Sequence, residues 1–184
     1  GKHVTRIKSS VNHLTSILND FLSLGKLEEG KIEINKEIIP VGEFLNEVRE
    51  ELLETLKVGQ DIEIQGITEM VEIRSDARIL RNILFNLISN ASKYSGEGKK
   101  INLICDKEKG RIVFHVRDEG IGIPEEDCKH MFDRFFRASN AGNVQGTGLG
   151  LNIVKRYVDL LNGSVTFKSR YGVGSTFSIS LPVQ

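Results

Sequence analysis

The segment from Asp76 to Tyr94 limits what this chain can fold into more than any other. Ile79, Leu80, Ile83, Leu84, Leu87 and Ile88 recur at helical steps, and Asn82, Asn86, Asn90 and Lys93 recur every three or four residues on another face. Such spacing predicts one long helix with two different rows of side chains, capped at its start by Ser75 or Asp76. The apolar row must be buried. The polar row is unlike a solvated face, which would be filled with Glu, Lys and Arg. Stacked amides either cap and crosslink neighbouring loops, as buried amides often do, or offer neutral oxygen ligands at one-turn spacing to a hard cation such as Mg²⁺. Lys93 can meet a phosphate as a point charge.

Two later loops bear on the same choice. Asp118-Glu119-Gly120-Ile121-Gly122-Ile123-Pro124 follows an alternating apolar run that sets Asp118 at the edge of the core. A carboxylate there can accept from an exocyclic amine, and Gly120 and Gly122 let backbone approach a flat ring. An ordinary turn would use the same residues. Gly146-Thr147-Gly148-Leu149-Gly150-Leu151 opens a further helix, so its amides can point at phosphate with the helix dipole behind them. It is not a P-loop, which would end Gly-Lys-Ser/Thr. Nor is it the dinucleotide fingerprint, because its glycine spacing differs and no strand directly precedes it. Between the loops, Phe132-Asp133-Arg134-Phe135-Phe136-Arg137 precedes the polar stretch Ala138–Gln145. The aromatics read as the hinge of a lid, with Arg137 within reach of a terminal phosphate, or as core packing for at least one of Phe132, Phe135 and Phe136.

The remaining chain supplies a frame. Val4, Ile7, Val11, Leu14, Leu18 and Phe21 alternate steps of three and four, a heptad seam that implies a partner helix. Ile17, Leu22 and Leu24 widen the stripe toward a helical bundle; a single amphipathic helix lying on its own globular domain is the alternative. Gly25 and Gly30 are expected to close this helix. A linker or edge strand over 31–40, a helix over 41–57, strands at 61–65 and 70–73, and a hairpin with its turn at Lys107–Gly110 follow. A helix over 149–161 and strands at 164–168 and 176–181 complete an α+β sandwich with helices on one face of a mixed sheet.

With 25 basic and 25 acidic residues among 184, no overall field draws the protein to nucleic acid. Cys105 and Cys128 are too few for a disulfide framework and have no metal-site spacing. No apolar stretch approaches the ~20 residues of a membrane-spanning helix. A cytoplasmic, soluble piece of a longer protein is the expectation, with the attachment of the parent left open.

The constellation resembles the catalytic domain of two-component sensor histidine kinases, in the superfamily shared with gyrase, the Hsp90 chaperones and MutL. Asn86–Tyr94 looks like the N box, Asp118–Gly122 the G1 box, Phe132–Arg137 the F box and Gly146–Leu151 the G2 box; Gly172–Phe177 is similar to the family's last glycine turn. Residues 4–30 look like the second helix of a dimerisation and phosphotransfer domain. The resemblance implies a Bergerat-type two-layer α/β sandwich over 31–184, preceded by a bundle-type helix over 1–30. It further implies ATP as ligand, Mg²⁺ on Asn90 with Asn86 nearby, Lys93 and Arg137 on phosphates, Tyr94 near the base and Asp118 on the adenine amine. Gly120, Gly122, Ile123, Phe132, Gly146, Thr147, Gly148, Leu149 and Gly150 complete the implied nucleotide contacts, and Asn86, Lys93 and Arg137 are the implied catalytic set. The implied partners are a second copy of the parent, a helix carrying the phosphoacceptor histidine, and the receiver domain of a response regulator.

One position separates the relatives. Hydrolytic members carry a water-activating glutamate at the place of Asn86, and an amide cannot act as general base. Phosphoryl transfer is therefore favoured over an ATPase, and the intact boxes favour it over a non-catalytic nucleotide module. His3, His13, His115 and His130 all lack the family's acceptor pattern of an adjacent acidic residue and a proline four positions on. The expectation is that helix one of the dimerisation domain, with its histidine, is missing here.

Overall fold

The computed structural model describes residues 2–66 and 70–183. The first helix, α1, spans Lys2–Glu28. Gly25 does not end it; the helix runs one turn further, and Gly30 takes the left-handed conformation beyond its end at φ +63°. A helical glycine costs only ~1 kcal/mol relative to alanine, and Leu24 and Leu27 on either side pack against the rest of the molecule.

A small antiparallel pair, β1 (Glu37–Pro40) and β3 (Glu72–Ser75), flanks α2 (Val41–Leu53) and β2 (Asp61–Gln65). Helix α2 stops four residues short of the expected Lys57. The Thr55 hydroxyl and amide both go to Leu52 O, at 2.7 and 2.9 Å, and Gly59 turns the chain at φ +73°. Strand β3 starts two residues later than expected, at Glu72.

The long helix α3 (Ala77–Tyr94) is capped by Asp76, whose Oδ1 accepts from the Ile79 amide at 3.0 Å. Strands β4 (Lys100–Glu108) and β5 (Arg111–Asp118) form the hairpin. Its turn is tighter than expected, two residues only. Lys109 and Gly110 both have positive φ, 46° and 80°, the turn whose twist matches that of the strands. After two 3₁₀ turns come α4 (Gly150–Leu160), β6 (Ser164–Arg170) and β7 (Gly174–Pro182).

The main sheet has the order β2-β4-β5-β7-β6, with β2 parallel to β4 and every other pair antiparallel. Leu103, Val116 and Phe177 stand in one cross-strand row; Cys105, Phe114 and Ile179 form the next. These buried rows meet the apolar stripes of α2, α3 and α4, which gives the two-layer sandwich its single core. Cys105 belongs to it, and burial, aided by Asp106, pushes its thiol up to about 12, so it is an inert core side chain.

Register then fixes the site. The pairing that puts Phe114 in the core carries Asp118 to the end of β5 opposite Ser175 on β7. Asp118 thus arrives beside the C-terminal end of α3.

Candidate functional site

Asp118 is buried, and its Oδ1 accepts from the Gly120 amide at 2.8 Å and the Ser175 amide at 3.3 Å. Burial raises its pKa above the usual carboxylate value, and the two amides pull the other way. Oδ1 is thereby engaged on the protein side.

A cleft of about 1120 Å³ opens from this point between α3, the loop after β5 and the N-terminus of α4. Asn82, Asn86, Asn90, Lys93, Tyr94, Asp118, Gly122, Ile123, Arg137, Gly146, Thr147, Gly148, Gly150 and Leu151 all line it. Residues far apart in sequence are brought together as the three-loop pattern requires.

Three expected residues sit elsewhere. Leu149 is fully buried in the core. Phe132 packs edge-on against Phe167, with ring centroids 5.8 Å apart. Gly120 faces a second, smaller hollow with Glu119 and Tyr171. The glycines of the Asp118 loop also serve chain-to-chain approach: a Cβ at Gly120 would lie 2.5 Å from Tyr94 O, and one at Gly122 would lie 2.1 Å from Arg170 O.

The asparagine row divides its labour. The Asn82 amide nitrogen returns to Arg78 O at 3.1 Å and that of Asn86 to Asn82 O at 2.9 Å, so part of the row satisfies helix carbonyls. That leaves the Asn86 carbonyl oxygen toward the cleft, where a Cβ on Gly150 would meet it at 3.0 Å. Neither amide can abstract a proton.

The three aromatics of segment 132–137 take different places. Phe132 is half-buried against the core, Phe136 lines the cleft, and Phe135 is exposed with φ +61°. The Arg137 guanidinium, expected at a phosphate, is turned onto the carbonyls of Gly142 and Val144 and ties the lid to itself.

Helix α1 closes the open side. The Thr147 hydroxyl donates to Asp20 Oδ2 at 2.7 Å and accepts from the Leu149 amide at 3.2 Å. Phe21 lies 6.3 Å from Phe135, and Glu28 pairs with Arg134. Ser16, Asn19 and Ser23 also face the cleft. Sequence reasoning missed this face, because a polar stripe beside a heptad seam looks solvated. It also missed Ser175, hidden in an apparent glycine turn.

His115 is bonded to Ser178 at 2.7 Å, and His130 is bonded to Asp133 at 2.8 Å with its ring 5.4 Å from that of Phe136. The side chains of His3 and His13 lie outside the described residues. Among the described residues, no three His, Cys, Asp or Glu side chains gather as a metal cage, and no helix is long and apolar enough to cross a membrane.

Comparison with known proteins agrees with this geometry. The autoinducer 2 sensor kinase/phosphatase LuxQ of Vibrio cholerae is 34% identical over the whole of this chain, which corresponds to 22% of LuxQ. The chain spans less than a third of the length of the curated relatives it matches. Full-length ShkA in complex with AMPPNP superposes with a TM-score of 0.77 at 28% identity, covering 98% of this chain and 38% of that one. Histidine kinase ThkA in complex with the response regulator TrrA shares the fold, with a TM-score of 0.77 at 23% identity, covering 100% of this chain and 51% of that one. Residues 75–184, which hold Asn86, Asp118 and the glycine loop before α4, match the family as a whole: the chain belongs to the histidine kinase-, DNA gyrase B- and HSP90-like ATPase family.

Proposed function

We propose that this chain binds Mg-ATP in the cleft between Asp118 and the N-terminus of α4, and that it is the phosphate-donating part of a protein-histidine kinase. On this reading residues 31–184 are the catalytic domain and residues 1–30 the second helix of a dimerisation and phosphotransfer domain. The full-length protein would pass the phosphoryl group from a histidine to an aspartate of a response regulator. The observation that carries the reading is Asn86: an amide, with its nitrogen committed to Asn82 O, lines the same pocket as the buried carboxylate of Asp118.

The residues present fit the ligand. The cleft volume suits a nucleoside triphosphate. Neutral amide oxygens of Asn86 and Asn90 are hard ligands of the kind Mg²⁺ accepts alongside phosphate oxygens and water. Bound Mg-ATP would supply the transferable γ-phosphoryl group and neutralise its developing charge.

The chain supplies position and electrostatics. Asp118 accepts from the adenine amine, Lys93 meets phosphate as a fixed cation, and the amides of Gly146–Gly150 face the phosphates with the dipole of α4 behind them. Arg137 joins them once the lid turns from its own carbonyls. With no general base at Asn86, water in the cleft is not activated, and the phosphoryl group goes to an incoming histidine nitrogen. The exposed seam of α1 fits an acceptor helix and a second copy of the parent.

The test is calorimetric titration with ATP, with and without Mg²⁺. Incubation with γ-labelled ATP and a separately supplied dimerisation domain carrying its histidine follows. Label on the added domain alone is expected. Steady release of free phosphate would instead assign an ATPase, and absence of binding would leave an assembly module.

A further inference from the structure

The last carbonyls of a helix have no partner within it, and at α3 two of their donors are side chains of the connector after α2, Lys57 and Gln60. The Ser95 amide takes Ala91 O at 3.1 Å. The next three carbonyls each go to a different donor. Ser92 O accepts from Gln60 Nε2 at 3.2 Å, Lys93 O from Lys57 Nζ at 2.7 Å, and Tyr94 O from the Ile121 amide at 3.1 Å. The same ammonium reaches Ser95 O at 2.8 Å, and the same Gln60 amide nitrogen reaches Gly96 O at 2.9 Å. Gln60 Oε1 in turn accepts from Ser92 Oγ at 2.6 Å and from the Lys57 backbone amide at 3.1 Å, which ties the Gln60 side chain both to α3 and to the backbone of Lys57.

We infer that Lys57 and Gln60 form a clamp that sets the spacing between the base end and the phosphate end of the nucleotide site. They are positioning residues. The inference rests on the nucleotide reading above.

The geometry connects both ends through one helix terminus. The clamped turn carries Lys93, with Asn90 one turn earlier. Through Tyr94 O it also holds Ile121, three residues from Asp118, while Gly120 lies against the same carbonyl. Gln60 is buried and Lys57 lines the cleft. A cation at a helix C-terminus is favoured by the dipole there, and lysine's three donors allow it to hold two carbonyls at once. Without those donors the last turn takes its hydrogen bonds from water, and the position of Lys93 relative to Asp118 loosens. A ligand that touches Asp118 and Lys93 together feels that loss, whereas one that touches only the base end does not.

The experiment titrates the parent chain, Lys57→Met and Lys57→Arg with Mg-ATP, uses adenosine competition as the probe of the base end alone, and records each melting midpoint. Methionine keeps the length of the side chain and removes its donors; arginine restores donors. Lys57→Met is expected to bind Mg-ATP about tenfold more weakly while adenosine changes by less than about twofold, the size expected for losing charged hydrogen bonds that act on one end only. Lys57→Arg should recover most of the loss, with all three melting midpoints alike. Unchanged Mg-ATP binding in Lys57→Met would overturn the clamp. So would equal losses for Mg-ATP and adenosine with a lowered melting midpoint, since that marks a structural role. Asp118→Asn run alongside separates the two readings. A parent that binds no Mg-ATP removes the nucleotide site and the clamp together. Binding abolished by Asp118→Asn but untouched by Lys57→Met keeps the site and removes the clamp.

Discussion

Helices α1 and α3 carry the same kind of apolar periodicity and meet opposite fates. In α3 the row Ile79, Leu80, Ile83, Leu84, Leu87 and Ile88 is 0–1% exposed; in α1 the row Val4, Ile7, Val11, Leu14, Leu18 and Phe21 is 51–69% exposed. A three–four repeat therefore says which residues share a face and is silent on what covers them. The polar faces differ in the same way. The Asn82 and Asn86 amides of α3 are bonded to their own helix and line the cleft, whereas the polar stripe of α1 lies across its open side and places Asp20 on Thr147.

The largest expected break in that comparison is Leu84→Ala. It removes buried methyls from a fully enclosed site and should cost ~2–5 kcal/mol of unfolding free energy, read from the urea midpoint. A loss under ~1 kcal/mol would deny that the α3 stripe is core.

Asp118→Asn comes next and separates stability from binding. Mg-ATP affinity should fall by ~1.5–3 kcal/mol, the worth of a hydrogen bond to a charged group, as measured by calorimetry. The folded form holds the Asp118 proton more tightly than the unfolded chain does, because burial raises its pKa. Its contribution to stability is thus fully present below the unfolded carboxylate value and is lost as pH rises through the raised folded value. Melting at neutral pH should accordingly leave Asp118→Asn as stable as the parent or more so. Mg-ATP binding should weaken in the parent as pH falls through that same raised value, a step that Asp118→Asn lacks.

Asp20→Asn tests the polar face of α1. Removing the α1 carboxylate that lies against the glycine loop, and loosening its hold on Thr147, should tighten Mg-ATP binding by ~1 kcal/mol, or roughly fivefold. Weaker binding would make Asp20 part of the ligand site.

The smallest effect belongs to the exposed seam. Leu14→Ala and Leu18→Ala should each change unfolding by less than ~0.5 kcal/mol in dilute solution. A larger loss that varies with protein concentration would mean that copies already pair through this face.

Much of the site was legible because its chemistry is local. Asn86, Asn90 and Lys93 share a helix row by simple spacing, and Gly146–Gly150 opens a helix in sequence as in space. Misplaced boundaries came from side chains acting on their own backbone, as where Thr55 closes α2 early. Leu149 was counted with the glycines around it, yet its side chain turns into the core. Lys57 and Gln60 carried no signal at all, since a Lys and a Gln in a connector look solvated until a helix end from 36 residues away arrives to be capped.

The sequence by itself determined the elements, the sandwich class and the membership of the three loops, because periodicity, turn chemistry and glycine placement act over a few residues. Only the tertiary structure decided which stripe is buried, where Arg137 points and which donors satisfy the end of α3. Those outcomes depend on contacts between segments far apart in the chain, and unsatisfied backbone groups take whatever donor the packing of the core delivers to them.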